Sequence, residues 1–237
     1  LVGGGQNNTA SNSWSTIGGG VSNSASGSES TVAGGDANVA GGGCSAVVGG
    51  YYNRASGAKS FIGGGDYNLS CGNRTVVAGG YSNTASGVYS TVSGGYTNVS
   101  SGLRSSVGGG TSNTASGNHG RVGGGQLNTA SNGYATVAGG YYNTASGTYS
   151  FVGSGSVNYV SGNCAAIVGG KANAASGLAS FIGGGFTNSN ASACGFIGGG
   201  AYNCIGIGGT GITTVGGTSN FICNSTSAAC GAWSTIV

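Results

Sequence analysis

The sequence predicts an all-β fold, a parallel β-solenoid of 15-residue coils with two short strands per coil, and three observations carry that expectation. The pattern G-G-x-x-N-x-A-S-G-x-x-S-x-V-x recurs from Gly4 to Gly198, as in GGVSNSASGSESTVA at 19–33, GGYSNTASGVYSTVS at 79–93 and GGYYNTASGTYSFVG at 139–153. The fifth position is Asn in every unit, at 8, 23, 38, 53, 68, 83, 98, 113, 128, 143, 158, 173 and 188. The fourteenth is always Val or Ile, from Ile17 through Val92 to Ile197. A short fixed period means stacked coils, because one unit cannot bury its apolar face alone. Fifteen residues are too few for a helix pair and enough for two strands and two tight turns.

Taken in order, the N-x-A-S segment is the first strand, with Asn and Ala on one side and the sixth and eighth residues on the other. The S-x-V-x segment is the second, with Ser and Val or Ile inward and the thirteenth and fifteenth residues outward. The two G-x-x segments between them are the corners, where glycine is expected to supply positive φ. Asn at the fifth position is expected to form an internal ladder, its amide bonding to the next coil and to corner backbone. At about 4.8 Å per strand, such a stack extends on the order of 70 Å. The regular roll is expected over residues 1–198 and an irregular continuation over 199–237, because the GGxxN after Asn203 arrives two residues late, at Gly216. A further half-unit is expected before Trp233. Val2 already falls in phase and WSTIV at 233–237 echoes WSTIG at 14–18, so a longer polypeptide is expected.

Composition agrees with this and excludes other classes. The 57 Gly among 237 residues, with no Pro, would suit a disordered linker, but 12 Tyr, 6 Phe and a net charge of +3 do not. Collagen needs Gly at every third residue and abundant Pro. No apolar run is long enough to span a membrane. Arg54, Arg74, Arg104, Arg121, Lys59 and Lys171 are scattered along the chain, too thinly for a nucleic-acid footprint.

Residues for chemistry are sparse, and no enzyme, metal or cofactor is expected. His119 is a corner residue beside no acid or nucleophile fixed by the repeat. Glu29, Asp36 and Asp66 are too few for calcium-binding roll repeats. The GGG runs precede strands rather than helices, so they are corners and not phosphate loops. Cys164 and Cys194 share a corner two coils apart, about 9.6 Å by strand spacing, beyond disulfide reach. Cys44 and Cys71 are likewise two coils apart, and all four are expected as free thiols. Cys204, Cys223 and Cys230 lie in the irregular end, where a disulfide stays open. Among N-x-S/T sequons, Asn7, Asn73, Asn190 and Asn224 are candidate glycosylation sites, whereas Asn68 and Asn98 fall on the ladder.

The variable positions point outward. Tyr51, Tyr81, Tyr96 and Tyr141 take the third position and Tyr52, Tyr67, Tyr142 and Tyr202 the fourth, all at one corner. Exposed aromatic rings suit a surface that grips sugars or protein partners, and equally a shield over the Gly corner. The thirteenth position carries Phe61, Val76, Phe151, Phe181 and Phe196, an apolar outward face expected to contact another subunit. Two apolar residues per coil bury little, which makes a homotrimer the expected assembly.

In its alternating N-x-A-S-G and S-x-V-x-G-G halves, GGYSNTASGVYSTVSGG resembles the head repeats of trimeric autotransporter adhesins and related repeats of phage and large-virus fibre proteins, over roughly residues 2–198. The resemblance implies a left-handed β-roll, usually trimeric, that displays a binding surface far from a cell or virion. It therefore implies a virion fibre or bacterial surface location, a non-enzymatic role as spacer and attachment surface, and a host glycan or protein receptor. The doubled Gly corner and the 15-residue spacing depart from the best-known adhesin heads. A second resemblance, to grass-type ice-binding β-rolls, rests on TAS at 9–11, 84–86, 114–116, 129–131 and 144–146. Arg54, Leu69, Val99 and Tyr159 occupy the same rank and interrupt a flat Thr/Ser face.

Overall fold

Every coil contributes two strands of two residues each, such as Thr84–Ala85 and Thr91–Val92. So short a strand has no stability alone, and its partners come entirely from the coils before and after it. The computed structural model describes residues 1–206, 211, 213–214, 216–222 and 235–236, and among these there is no helix. Two units are distinguished, Leu1–His119 and Gly120–Val237.

In the first unit, the first strands run from Thr9–Ala10 through Val39–Ala40 to Thr114–Ala115 and form one parallel sheet. The second strands run from Thr16–Ile17 through Phe61–Ile62 to Ser106–Val107 and form another. Partners sit one coil apart, as in Thr84↔Val99 and Val76↔Thr91. The second unit repeats this plan, with Thr144↔Tyr159 in one sheet and Phe151↔Ala166 in the other. The expected parallel solenoid with two strands per 15-residue coil is therefore the observed fold.

The asparagine ladder is present within each unit. Asn83 Nδ2 donates to the Gly79 carbonyl of its own coil at 3.0 Å and to the Gly95 carbonyl of the next at 2.8 Å. Its Oδ1 accepts the backbone N–H of Asn98 at 2.9 Å. Asn38 and Asn143 do the same in their coils. These side chains are fully buried, so the ladder satisfies donors and acceptors that water cannot reach.

The core is one side chain deep. Val or Ile at the fourteenth position and Ala at the seventh are buried, as Val92 and Ala85 show. The seventh and twelfth positions share a volume and adjust to each other. Where Ala gives way to Ser70 or Ser100, its hydroxyl pairs with Thr75 Oγ1 at 2.8 Å or Ser105 Oγ at 2.7 Å. Where it gives way to Val160, the twelfth residue shrinks to Ala165. Asn190 faces Gly195, whose missing side chain leaves room for the amide. The twelfth-position hydroxyl can also close its own turn, as Ser30 Oγ does on the Gly27 carbonyl at 2.7 Å.

The corners correct the sequence expectation. At the first corner the second Gly of each pair has φ between 79° and 95°, as expected. At the other corner, the ninth-position Gly does not have positive φ. It is Gly because the next coil passes too close, and a Cβ on Gly57 would run into the Gly72 carbonyl. The left-handed conformation falls instead on non-glycine residues at the fourth and eleventh positions, among them Tyr52 (φ 53°), Lys59 (φ 58°) and Arg74 (φ 58°). Each such residue costs about 1–2 kcal/mol. The cost is offset because its N–H donates to the preceding coil, as Lys59 N–H does to the Gly43 carbonyl at 2.8 Å and Tyr52 N–H to the Asp36 carbonyl at 3.1 Å.

Beyond Asn203 the register lengthens but the ladder persists. Asn203 Oδ1 accepts the N–H of Asn220, 17 residues on, at 3.1 Å. The strands follow, with Cys204↔Phe221 and Phe196↔Thr213. Trp233 lies outside the described residues.

Adjacent glycines make a sharp test. Gly79→Ala meets only open space, its nearest neighbour being the Gly64 carbonyl at 3.8 Å, and should stay within about 1 kcal/mol of the parent in denaturant titration. Gly80→Ala combines φ 91° with a collision against the Gly95 carbonyl and should lose about 3 kcal/mol. Asn83→Ala removes the partners of the Gly79 carbonyl and of the Asn98 N–H, while the Gly95 carbonyl keeps the Tyr81 N–H, and should lose about 2–4 kcal/mol by the same titration.

Candidate functional site

Side chains at the third and fourth positions leave the first corner outward, and those at the tenth and eleventh leave the opposite one. The third position is held by a backbone bridge to each neighbouring coil, as Tyr51 is to Asp36 and Asp66, and Tyr81 to Asp66 and Tyr96. The fourth is held by its left-handed φ. Successive residues of a rank are therefore in register, one coil apart.

This register gathers Tyr51, Tyr52, Tyr67, Tyr81 and Tyr96 into one exposed run in the first unit. Ring centroids are 4.5 Å apart for Tyr51–Tyr52, 5.6 Å for Tyr52–Tyr67, 5.6 Å for Tyr67–Tyr81 and 5.2 Å for Tyr81–Tyr96. Tyr52–Tyr67 and Tyr81–Tyr96 are stacked nearly parallel, at 10° and 8°, so neighbouring rings cover part of the area expected to face a ligand. Burial among the rings, followed by the charges of Tyr67 and Tyr52, pushes the Tyr51 hydroxyl above the ordinary tyrosine range. Tyr141 and Tyr142 lie in the second unit, 6.2 Å apart. Tyr202 there packs edge-on to Phe186 at 5.3 Å.

The thirteenth-position phenylalanines divide. Phe181 and Phe196 stack at 5.1 Å, and Phe151 is separated from Phe181 only by Ala166 in the same sheet. Phe61 lies in the first unit between Ala46 and Val76.

The eleventh-position rank was missed in the sequence. The basic residues are spread along the chain, but Lys59, Arg74 and Arg104 fall on one rank of the first unit, with Tyr89 between the two arginines. The Arg74 guanidinium lies 5.1 Å and that of Arg104 5.6 Å from the Tyr89 ring centre, and Arg74 Nη1 donates to the Tyr89 hydroxyl. The signal was arithmetic: 59, 74, 89, 104 and 119 differ by one period each. Asp36 and Asp66 sit at the tyrosine corner of the first unit, and Glu29 lies on the cation rank itself, two coils before Lys59.

The thiols Cys44, Cys71, Cys164 and Cys194 are free and exposed, and Cys204 is free and half-buried. Cys223 and Cys230 lie outside the described residues, as does the sequon at Asn224. Asn7 and Asn73 are exposed, while Asn68 and Asn98 are buried in the ladder. Asn190 corrects the sequence reading. It occupies the inward seventh position and is fully buried, with Nδ2 donating to the Phe181 carbonyl at 3.1 Å, so it is no glycan acceptor. Among the described residues, no group of three or more His, Cys, Asp or Glu is placed to hold a metal ion, and no helix is long and apolar enough to cross a membrane.

Comparison with family models and with curated proteins finds no match to this chain.

One thiol has a specific environment. Cys44 Sγ lies 3.4 Å from Glu29 Oε2, and donation to that carboxylate, with a smaller effect of burial, raises the thiol above its ordinary range. Glu29→Gln removes the charge that favours the protonated thiol. Cys44 should then titrate at lower pH and react faster with iodoacetamide at pH 8, read site by site by peptide mass spectrometry.

Proposed function

We propose that this chain is a non-enzymatic structural segment of a surface fibre or adhesin, acting as spacer and attachment surface. The observation that supports this most is the separation of roles within each coil. Asn, Gly, Ala and Val or Ile supply the ladder and the core, while the corner ranks carry side chains on which the fold does not depend. The run Tyr51, Tyr52, Tyr67, Tyr81 and Tyr96 is the attachment surface in this reading. Its hydroxyls and ring edges address a host glycan or protein receptor. The likeness of the repeat to trimeric adhesin heads and viral fibre repeats supports the same role, and with it placement on a virion or bacterial surface. The stacked Phe181 and Phe196, with Phe151 beside them, are the surface through which three copies assemble.

Replacing Tyr51, Tyr52, Tyr67, Tyr81 and Tyr96 by Ser should abolish binding to host cells or a glycan array and leave the β-sheet circular dichroism spectrum intact. Full binding by that variant would leave this segment a passive shaft. Light scattering should give three times the chain mass, and Phe181→Ser with Phe196→Ser should lower it; a monomer mass for the parent chain removes the trimer. Thermal hysteresis with faceted ice crystals would replace the fibre reading by ice binding. The sixth rank argues against it, because Leu69 and Val99 flank Thr84 in register.

A further inference from the structure

The eleventh-position corner of the first unit holds a second binding surface. We infer that Lys59, Arg74 and Arg104 form a linear stripe that binds an extended acidic polysaccharide, of the sulfated or uronate class, along the coil stack. The site does not depend on the tyrosine corner, which lies at the other end of each coil.

The argument begins with the backbone. In this rank each N–H donates to the carbonyl of the tenth-position residue one coil back: Lys59 to Gly43, Arg74 to Ala58, Tyr89 to Asn73 and Arg104 to Val88, at 2.8 to 3.0 Å. Those bonds fix the rank in register, so Lys59 and Arg74 stand about 4.8 Å apart and Arg74 and Arg104 about twice that. All three are exposed. The chain has six Lys and Arg in total, so half of its permanent positive charge lies on one edge of a few coils. His119, one coil beyond Arg104, extends the same rank.

Tyr89 prepares the stripe. Its ring lies between the two guanidinium groups, and its hydroxyl accepts from Arg74. This holds two like charges close together at low cost in side-chain entropy and leaves outward guanidinium N–H groups for an anion. The same arrangement decides the ligand class. A single-stranded nucleic acid needs aromatic faces on which bases stack, and the faces of Tyr89 are taken by the arginines. A duplex needs a broader basic surface than one rank provides. A polysaccharide with periodic sulfate or carboxylate groups needs only a row of cations at a regular pitch. Glu29 marks one end of the row, two coils before Lys59, with Cys44 between them.

The test uses the full chain on immobilised heparin, with neutral dextran as the uncharged control and poly(dT) as the nucleic-acid control. Binding to heparin should weaken steeply with salt, and dextran should not bind. The variant Lys59→Gln, Arg74→Gln, Arg104→Gln should lose about ten-fold or more in affinity. The variant Arg54→Gln, Arg121→Gln, Lys171→Gln changes net charge equally but lies off the rank, and should bind almost as the parent does. Equal losses in the two variants would reduce the effect to net charge, and tighter binding to poly(dT) than to heparin would give the stripe to nucleic acid; either overturns the inference. A readout on the unmodified chain guards against a folding defect: heparin should protect Lys59 from acetylation and leave Lys171 reactive. Equal labelling of both with heparin bound would also overturn it.

Discussion

Everything in this solenoid depends on one bonding arrangement, the buried asparagine that holds two corner carbonyls with its amide nitrogen and the next asparagine's N–H with its oxygen. A coil with two inward apolar side chains has little hydrophobic surface to bury. The ladder supplies what the core lacks, because within each unit the described coils are bonded one to the next through side chain as well as backbone. An acid in place of Asn would have no donor for the carbonyls, and Ala would leave the carbonyl of its own coil and the next asparagine's N–H unpaired, while the next coil's carbonyl keeps a backbone N–H, as Gly95 keeps that of Tyr81. Cohesion is then a sum of nearest-neighbour terms, which explains why the register can lengthen at Asn220 while the ladder continues.

Core, ladder and strand positions were legible in the sequence because they are constant, and constancy at a fixed period means a repeated environment. The corners were only half legible. Gly in the first corner was read correctly as a positive-φ residue, but at the second corner the left-handed residue is Glu29, Lys59, Arg74 or Tyr89. Nothing in those residue types signals that conformation, which goes with their place in the period and with an N–H bond to the preceding coil. Asn190 failed for the opposite reason. A local sequon suggested exposure, whereas its place in the period put it inside, and only the adjoining Gly195 reveals the volume exchange that admits it.

The surface was the least legible part, because sequence distance and spatial distance are unrelated in a solenoid except at multiples of the period. Tyr52 and Tyr67 are stacked neighbours, and so are Tyr81 and Tyr96. Lys59, Arg74 and Arg104 look isolated along the chain and share an edge in the fold. Composition understates the local charge for the same reason: a net +3 says nothing about two Asp on one corner of the first unit, and three cations in a row beyond Glu29 on the other.

The same geometry limits what these surfaces can recognise. Each outward rank repeats at the coil spacing, about 4.8 Å, and backbone bonds between coils leave little freedom to adjust it. A globular ligand with an irregular surface meets such a row at one or two points. A polymer with its own short period meets it at many, and weak contacts then add along the row as linked sites do. Substitution in a rank changes chemistry without changing pitch, because the corner backbone accepts Glu, Lys, Arg, Tyr, Cys or His in one conformation. Tyrosine and cation ranks on a common scaffold are therefore two surfaces of the same spacing and different chemistry, each matched in principle to a periodic partner.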